Sequence, residues 1–485
     1  MSVPPLIAIL PWLPSAAGLL AALFAALLSA LSAAAALRPG ALAKLGRIAW
    51  RQKPGLFVLA IIAFGSIEAA KRMVVREKPS TITATLAPGR WPMFRGDLSR
   101  AGSADGQPGP ARGSVLWSSG QGFVFLSSPA VVANTLIAIA SKADDSARLF
   151  CWDASNGELL WTLAPPGYRA SFSSAVVDQG YLVCGEGVHT TRKARVRGFK
   201  ADASGDLTLA FEYPTTSHVE CTPVIDGNRV YFAAGDDGVY CLDLTPEFAG
   251  RLIWHIPGQQ YPDVETALAV YEGRVYVGLG QHGNALCVLD ADTGHEMARL
   301  PMPLPVFSPP AIADGRLYLG MGSADYLHWD DNSPGEVRCL DLNSLGELWR
   351  VKTPDPVLAA VIAADTEIVF TTVAGELFVV AADGMVKHRW KAADRVLSAP
   401  AVTNDAIYCV SCDGMLTALD RRLRPTWTAQ LGSPGLYLSS PVVYSGKLYV
   451  GTANDGFVCI GPPHAVASEG PVKGEVRSRF DDEEH

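Results

Sequence analysis

Short apolar runs separated by turn residues characterise residues 218–254. The apolar runs occupy 219–225, 229–234, 239–243 and 251–256. The breaks at 226–228 and 235–238 contain glycine, which supplies the positive φ that a tight hairpin needs. The two central runs do not alternate cleanly between apolar and polar residues, which indicates burial on both faces. The pattern therefore predicts a four-stranded sheet that requires similar sheets on either side of it.

The same pattern recurs along the chain at intervals of about 40 to 50 residues, as in propeller blades. Its eight copies begin near residues 127, 171, 219, 264, 308, 358, 398 and 439. The last copy ends at Ile460 without a fourth strand, whereas a spare tryptophan-bearing segment, 114–120, precedes the first copy. We therefore predict an all-β fold, an eight-bladed β-propeller over residues 114–465. Segment 114–120 closes the last blade and so removes its open edge.

Residues 1–78 do not share the repeat and are predicted to be a membrane anchor. An uncharged, Ala- and Leu-rich stretch at 15–37 is long enough to span a bilayer, and a second apolar stretch covers about 55–73. The loop 38–54 carries five basic residues and no acidic one, which favours a helical hairpin with this loop in the cytoplasm and the propeller exported. The alternative is a single span with a cytoplasmic propeller, favoured by the basic cluster at 71–78.

An extended connector, residues 79–113, precedes the propeller and contains the motif W-P-x-F-R-G-x-x-x-R-x-G at 91–102. With this motif and blade patterns such as Ser-Ser-Pro at 439–441 and Leu-Tyr-Val-Gly at 448–451, the chain resembles the bacterial family of PQQ-like repeat proteins. That family includes the propeller lipoprotein of the outer-membrane assembly machinery and PQQ-dependent dehydrogenases. The resemblance implies the fold and says little about the chemistry.

The resemblance implies a quinone site only if this chain has the residues that bind the quinone in the PQQ-dependent dehydrogenases. Those enzymes hold the quinone and a Ca²⁺ ion on the propeller axis, and the alcohol enzymes add a bonded pair of adjacent cysteines. This chain has no adjacent cysteines and no C-x-x-C-H haem motif. Its repeated tryptophans share the fourth-strand position, which indicates packing between blades: Trp117, Trp161, Trp254, Trp349, Trp390 and Trp427. We therefore predict no catalytic, cofactor-binding or metal-binding residue, with PQQ and Ca²⁺ as the alternative.

The nine cysteines are predicted to be small buried residues between blades, without disulfides. Five fall on third strands and two on second strands. Cys409 and Cys412 form a C-x-x-C, but no second pair with metal-ligand spacing accompanies it.

Departures from the repeat supply the candidate functional residues. The entrances of the third and fourth first strands carry His218, Glu220, Asp263 and Glu265, which are predicted to line the central channel. The paired carboxylates would bind a cation or a basic partner, or accept hydrogen bonds from backbone amides of the next blade. The long turn 323–336 is predicted to bind a protein partner through Tyr326, His328, Trp329, Asp330 and Asp331.

Two further segments differ from the repeat in charge. The basic stretch 189–197 would contact anionic lipid or an acidic partner, or be a solvated hairpin. The acidic tail 466–485 is predicted to be disordered. The formal net charge of −8 gives no reason to expect a nucleic-acid partner.

These features together favour a binding or scaffolding subunit of the bacterial inner membrane, with the propeller on the periplasmic side. The expected partners are membrane lipid, through residues 1–78, and other membrane or periplasmic proteins, including those of a larger membrane complex. The alternative function is a PQQ- or metal-dependent oxidoreductase.

Overall fold

Short antiparallel strands form all the regular secondary structure in the part of the chain that the computed structural model describes, residues 93–104, 106–201, 207–323 and 333–463. They pair into eight separate sheets of four strands each. This is the predicted eight-bladed β-propeller. These ranges include no helix with the length and apolar character needed to cross a bilayer. The predicted spans, 15–37 and about 55–73, lie outside the described residues, as do residues 466–485 of the tail.

The strands of each blade follow one another in the sequence, except in the last blade. Blade 1 contains β2 (Ala130–Val132), β3 (Thr135–Ser141), β4 (Ala147–Asp153) and β5 (Leu159–Leu163). Blade 2 contains β6 (Val176–Asp178), β7 (Tyr181–Gly185), β8 (Arg195–Ala201) and β9 (Leu207–Pro214). Blade 3 contains β10 (Val224–Asp226), β11 (Arg229–Ala233), β12 (Val239–Asp243) and β13 (Leu252–Ile256). Blade 4 contains β14 (Ala269–Tyr271), β15 (Arg274–Leu279), β16 (Ala285–Asp290) and β17 (Glu296–Pro301).

The second half of the ring repeats this arrangement. Blade 5 contains β18 (Ala311–Ala313), β19 (Arg316–Met321), β20 (Gly335–Asp341) and β21 (Glu347–Thr353). Blade 6 contains β22 (Ile362–Ala364), β23 (Glu367–Thr371), β24 (Glu376–Ala381) and β25 (Val386–Lys391). Blade 7 contains β26 (Ala401–Val402), β27 (Ala406–Val410), β28 (Met415–Asp420) and β29 (Pro425–Gln430). Blade 8 contains β30 (Val442–Tyr444), β31 (Lys447–Gly451), β32 (Phe457–Gly461) and β1 (Ser114–Ser119).

The innermost strands are shorter than the apolar runs that predict them. In blade 3 the run begins at Val219, but the paired strand β10 begins only at Val224. Pro223 immediately precedes it, and proline has no N–H to donate to a ladder. Residues before the proline instead bond to other blades: the amide of Val219 donates to the carbonyl of Glu186 in blade 2 at 2.9 Å. The few residues that precede each first strand, here called its approach, therefore lie along the axis and do not join the sheet of their own blade.

The first and last strands of the fold close the ring. β1 pairs antiparallel with β32, placing Ser114 opposite Gly461, Trp117 opposite Cys459 and Ser119 opposite Phe457. The ring of Trp117 lies 6.1 Å from that of Tyr449 and 6.5 Å from that of Trp152 in blade 1. The strand from the start of the propeller therefore stabilises blade 8 and its contact with blade 1.

In blades 3 and 5, the fourth-strand tryptophan docks the blade onto the next one. The indole of Trp254 donates to the carbonyl of Ala291 at 3.1 Å, and that of Trp349 donates to Ala382 at 2.9 Å. A Cβ at Gly384, where φ is +91°, would lie 2.7 Å from the Trp349 ring, so the turn needs glycine there. These contacts agree with the predicted packing role. All nine cysteines are free and buried in the same interior.

Candidate binding site in the central channel

One repeat position contributes a side chain from every blade to the axis of the propeller. In blades 3 and 4 this position holds Glu220 and Glu265. The other six blades hold apolar residues there: Leu126, Phe172, Phe307, Leu358, Leu397 and Leu438. Two adjacent carboxylates therefore interrupt an otherwise apolar ring.

Residues 93–104, part of the connector, close one end of the channel. This is the end at which the first strands of the blades turn away from the axis. The amide of Ala104 donates to Val402 in blade 7 at 2.9 Å. Carbonyl groups of the segment accept backbone hydrogen bonds from blades 4, 5 and 6, in the pairs Val270 to Leu98, Ile312 to Ser99 and Ala363 to Ala101. Phe94, from the W-P-x-F-R-G motif, lies among the residues that line the cavity. The connector motif thus acts as a plug.

Two buried arginines hold this plug in place. The Arg100 guanidinium donates to the carbonyls of Leu268 at 3.0 Å and Pro223 at 3.2 Å, and to that of Phe94. Burial lowers the pKa of Arg100 to about 10 and that of Arg95 to about 9, so both are charged at neutral pH. Their bonding partners are backbone carbonyls of blades 3, 4 and 6 and of the plug itself.

The space that remains between the plug and the ring of side chains is small. The cavity measures about 140 Å³ and is lined by residues of all eight blades. Drug-sized ligands and cofactors occupy pockets of about 300 to 1,000 Å³. A cavity of this size has room for a few water molecules or an ion.

Beside the acidic side of the ring, two histidines converge on one carboxylate. Nδ1 of His189 lies 2.5 Å from Oε1 of Glu265, and Nε2 of His218 lies 3.2 Å from the same oxygen. The two imidazole rings are 5.2 Å apart. Three consecutive blades each contribute one residue: His189 comes from the β7–β8 hairpin of blade 2, and the others from the approaches to β10 and β14.

The backbone around the His218 imidazole leaves space for the ring. His218 is almost fully buried, and its Nδ1 lies 3.2 Å from the hydroxyl of Ser217. Gly235, in the β11–β12 hairpin, has φ +48°, and a Cβ there would lie 2.6 Å from the ring. Any larger residue at this position would therefore displace His218 from the cluster.

The three carboxylates near the histidines differ in how readily they ionise. Burial, and then the charge of Glu265, raise the pKa of Glu220 well above its usual value and that of Asp263 to about 6. Burial also opposes the ionisation of Glu265, but the hydrogen bond from His218 and the proximity of His189 outweigh it and lower the pKa of that carboxyl. Glu265 is therefore the ionised group around which the other two are arranged.

All four predicted channel residues lie at this site. Among the described residues, the recorded donors to Glu265 are the two imidazoles, whereas the Glu220 carboxylate accepts from the backbone amide of His189 in the preceding blade. Asp263 accepts from the backbone amide of Gln281 at 2.6 Å.

Sequence reasoning missed the role of His189 because it grouped this residue with a basic stretch. The available signal was that the β7–β8 hairpin leads back toward the same end of the channel as His218. The predicted partner-binding residues all lie outside the described residues: Tyr326, His328, Trp329, Asp330 and Asp331.

The basic stretch 189–197 is not one continuous surface patch. Arg197 is buried, and its guanidinium lies 3.3 Å from Glu186 and 2.8 Å from Glu212. Arg195 also pairs with Glu212, at 3.1 Å. Besides His189, only Arg192 and Lys193 of this stretch present exposed basic side chains, because the carboxylates of the same blade neutralise the other two arginines.

A family model described as outer membrane protein assembly factor BamB matches residues 108–245 and 333–464, more than half of the chain. The chain belongs to this family. The match covers both halves of the ring, including β1 and β32, and so agrees with the PQQ-like repeat resemblance. A comparison with curated proteins found no match.

Solved structures show the same fold at low sequence identity. BamB from Moraxella catarrhalis is 16% identical with a TM-score of 0.55, covering 71% of this chain and 99% of that one. Sqt1 from Saccharomyces cerevisiae is 13% identical with a TM-score of 0.55, covering 73% and 99%. The quinohemoprotein alcohol dehydrogenase ADHIIG from Pseudomonas putida HK5 is 11% identical with a TM-score of 0.59, covering 76% of each chain. Because an assembly factor and an alcohol dehydrogenase share it, the fold alone does not decide the function.

Proposed function

We propose that this chain is a protein-binding propeller, a scaffolding subunit that residues 1–78 hold at the bacterial inner membrane with the propeller on the periplasmic side. The observation that carries the proposal is membership of a family described as an outer membrane assembly factor. Its expected partners are other membrane or periplasmic proteins within a larger complex.

The axis of the propeller supports a binding role over quinone chemistry. A cavity of about 140 Å³ is smaller than the pockets that hold cofactors. Phe94 and the plug occupy one end of the channel, and the fourth-strand tryptophans are engaged in packing between blades. The chain also lacks adjacent cysteines. An oxidoreductase that uses PQQ and Ca²⁺ is therefore the weaker candidate.

We expect the long turn 323–336 to contact a partner through Tyr326 and Trp329, because aromatic residues are common interface anchors. A photoreactive amino acid placed at either position in the full chain should cross-link to a discrete protein in native membranes. The matched control positions are Phe248 and Met385, which are exposed apolar residues elsewhere on the propeller. Changing Tyr326 and Trp329 to Ala should release the partner without altering the melting temperature.

Equal cross-linking at all four positions would contradict a specific role for the turn. Reduction of a dye with alcohols or sugars after addition of PQQ and Ca²⁺, or a thermal shift of several degrees with the quinone, would favour the dehydrogenase instead.

The proposed topology makes a separate prediction. Alkaline phosphatase fused after Gly113 should be active, because the basic, acid-free loop 38–54 favours a hairpin that exports the downstream chain. A reporter that fluoresces only in the cytoplasm should be dark at the same position. The reverse pair of results would establish the single-span topology, with the propeller in the cytoplasm.

A further inference from the structure

The cluster of His189, His218 and Glu265 has the geometry of a metal site. One ligand atom from each residue lies within 4.8 Å of the other two. A tetrahedral zinc ion with bonds of about 2.0 to 2.1 Å separates its ligands by about 3.4 Å. The 3.2 Å between His218 and Glu265 already fits that spacing. To reach this spacing, Nδ1 of His189 must move away from Oε1 of Glu265 by less than about 1 Å. The His189 side chain is 71% exposed and so has room to move.

The charges around the cluster provide an independent argument. Oε1 of Glu220 is buried and has no hydrogen-bond partner among the described residues. Glu220 and Glu265 line the same cavity, so this oxygen lies beside the cluster. Burying unpaired carboxylates is costly unless a cation neutralises them. A divalent ion bound at Glu265 would place a positive charge beside the buried Glu220 carboxylate.

We propose that His189, His218 and Glu265 bind a divalent transition-metal ion of the zinc type beside the central channel, with its fourth position open to water. Two imidazoles and one carboxylate suit zinc and its neighbours, whereas calcium and magnesium prefer ligand sets made of oxygen. The ion would connect blades 2, 3 and 4 at the end of the channel opposite the plug. All nine cysteines are buried, so accessible thiolates do not compete for the metal.

Hydrogen bonding alone is the alternative explanation of the cluster, since each imidazole can donate to Glu265 without any metal. The two explanations differ in what Glu265→Gln does. The amide keeps the shape of the side chain and can still bond to imidazole, but it is a poor ligand for zinc. His189→Ala removes an exposed ligand and leaves the buried His218 in place, so this variant should fold.

The test uses the purified full chain, stripped with a chelator and titrated with Zn²⁺ by calorimetry. The wild type should bind one equivalent and show a higher melting temperature with the metal. Loss of an outer-shell partner commonly weakens metal binding 10- to 100-fold, so loss of a direct ligand in His189→Ala or Glu265→Gln should weaken it at least about 100-fold. His295→Ala is the matched control, because His295 is an exposed histidine in the β16–β17 turn of blade 4.

Cobalt substitution provides a second measurement. Co²⁺ in the wild type and in His295→Ala should give the visible absorption of a tetrahedral ion with nitrogen and oxygen ligands, and the two site variants should lose it. The proposal is overturned if the wild type binds no Zn²⁺. It is equally overturned if His189→Ala and Glu265→Gln bind Zn²⁺ as tightly as the wild type.

Discussion

Replacing β1 (Ser114–Ser119) by a Gly- and Ser-rich sequence of the same length is expected to open the ring and cause aggregation. β32 is buried along its whole length, and without β1 it becomes an unpaired apolar edge. The change also removes Trp117, whose partly buried ring should contribute about 1 to 3 kcal/mol. Since natural domains are stable by only about 5 to 15 kcal/mol, the combined loss should exceed what the fold tolerates.

Size-exclusion chromatography and thermal unfolding would measure this effect. The informative control restores the strand elsewhere: a copy of residues 114–120 is attached after residue 463 through a short turn. Ser114 lies opposite Gly461, so the relocated strand can form an ordinary hairpin with β32. We expect it to recover the monomer. If the variant without β1 stayed monomeric and melted as the wild type does, the closing strand would be dispensable.

The number of blades and the closing strand were predictable because both depend on local pattern. Apolar runs, glycine turns and a tryptophan on the fourth strand of six of the eight repeats identify the sheets without reference to the rest of the chain. The truncated unit ending at Ile460 and the spare strand around Trp117 complement each other, and ring closure removes both open edges.

The candidate site was only partly predictable because it depends on contacts between repeats. Glu220 and Glu265 are visible in the sequence as polar residues at a position that is apolar elsewhere. His189 is far from them along the chain, and only the turn of the β7–β8 hairpin toward the channel brings it to Glu265. Its neighbours Arg195 and Arg197 made the segment look like a basic patch, although both pair with carboxylates of their own blade.

The role of the connector motif also depends on long-range contacts. Arg100 follows the W-P-x-F-R-G core, and its sequence environment gives no sign that it is buried. Its bonding partners are carbonyls more than one hundred residues away, together with that of nearby Phe94. Backbone acceptors leave no pattern in a sequence, so the plug becomes evident only in the folded ring.

Changing Arg100 to Met is expected to release the plug and lower the free energy of unfolding by about 3 kcal/mol, because several buried carbonyls lose hydrogen bonds from a charged donor, each of which contributes about 1.5 to 3 kcal/mol. The side chain is fully buried and joins the plug to blades 3 and 4. Methionine fills similar space but leaves carbonyls such as those of Leu268 and Pro223 without a donor. Arg100→Lys should be nearly as damaging, because an ammonium group cannot reproduce the planar fork of donors.

The measurement combines urea unfolding with hydrogen exchange in residues 98–104. In Arg100→Met the amide of Ala104, which donates to Val402 in the wild type, should exchange faster, and the urea midpoint should fall. Arg112→Met is the matched control, since Arg112 lies in the same connector and is exposed. Equal urea midpoints and equal exchange in the two variants would mean that backbone hydrogen bonds alone retain the plug. A lower midpoint confined to Arg100→Met would identify this arginine as the residue that fastens the connector to blades 3 and 4 of the propeller.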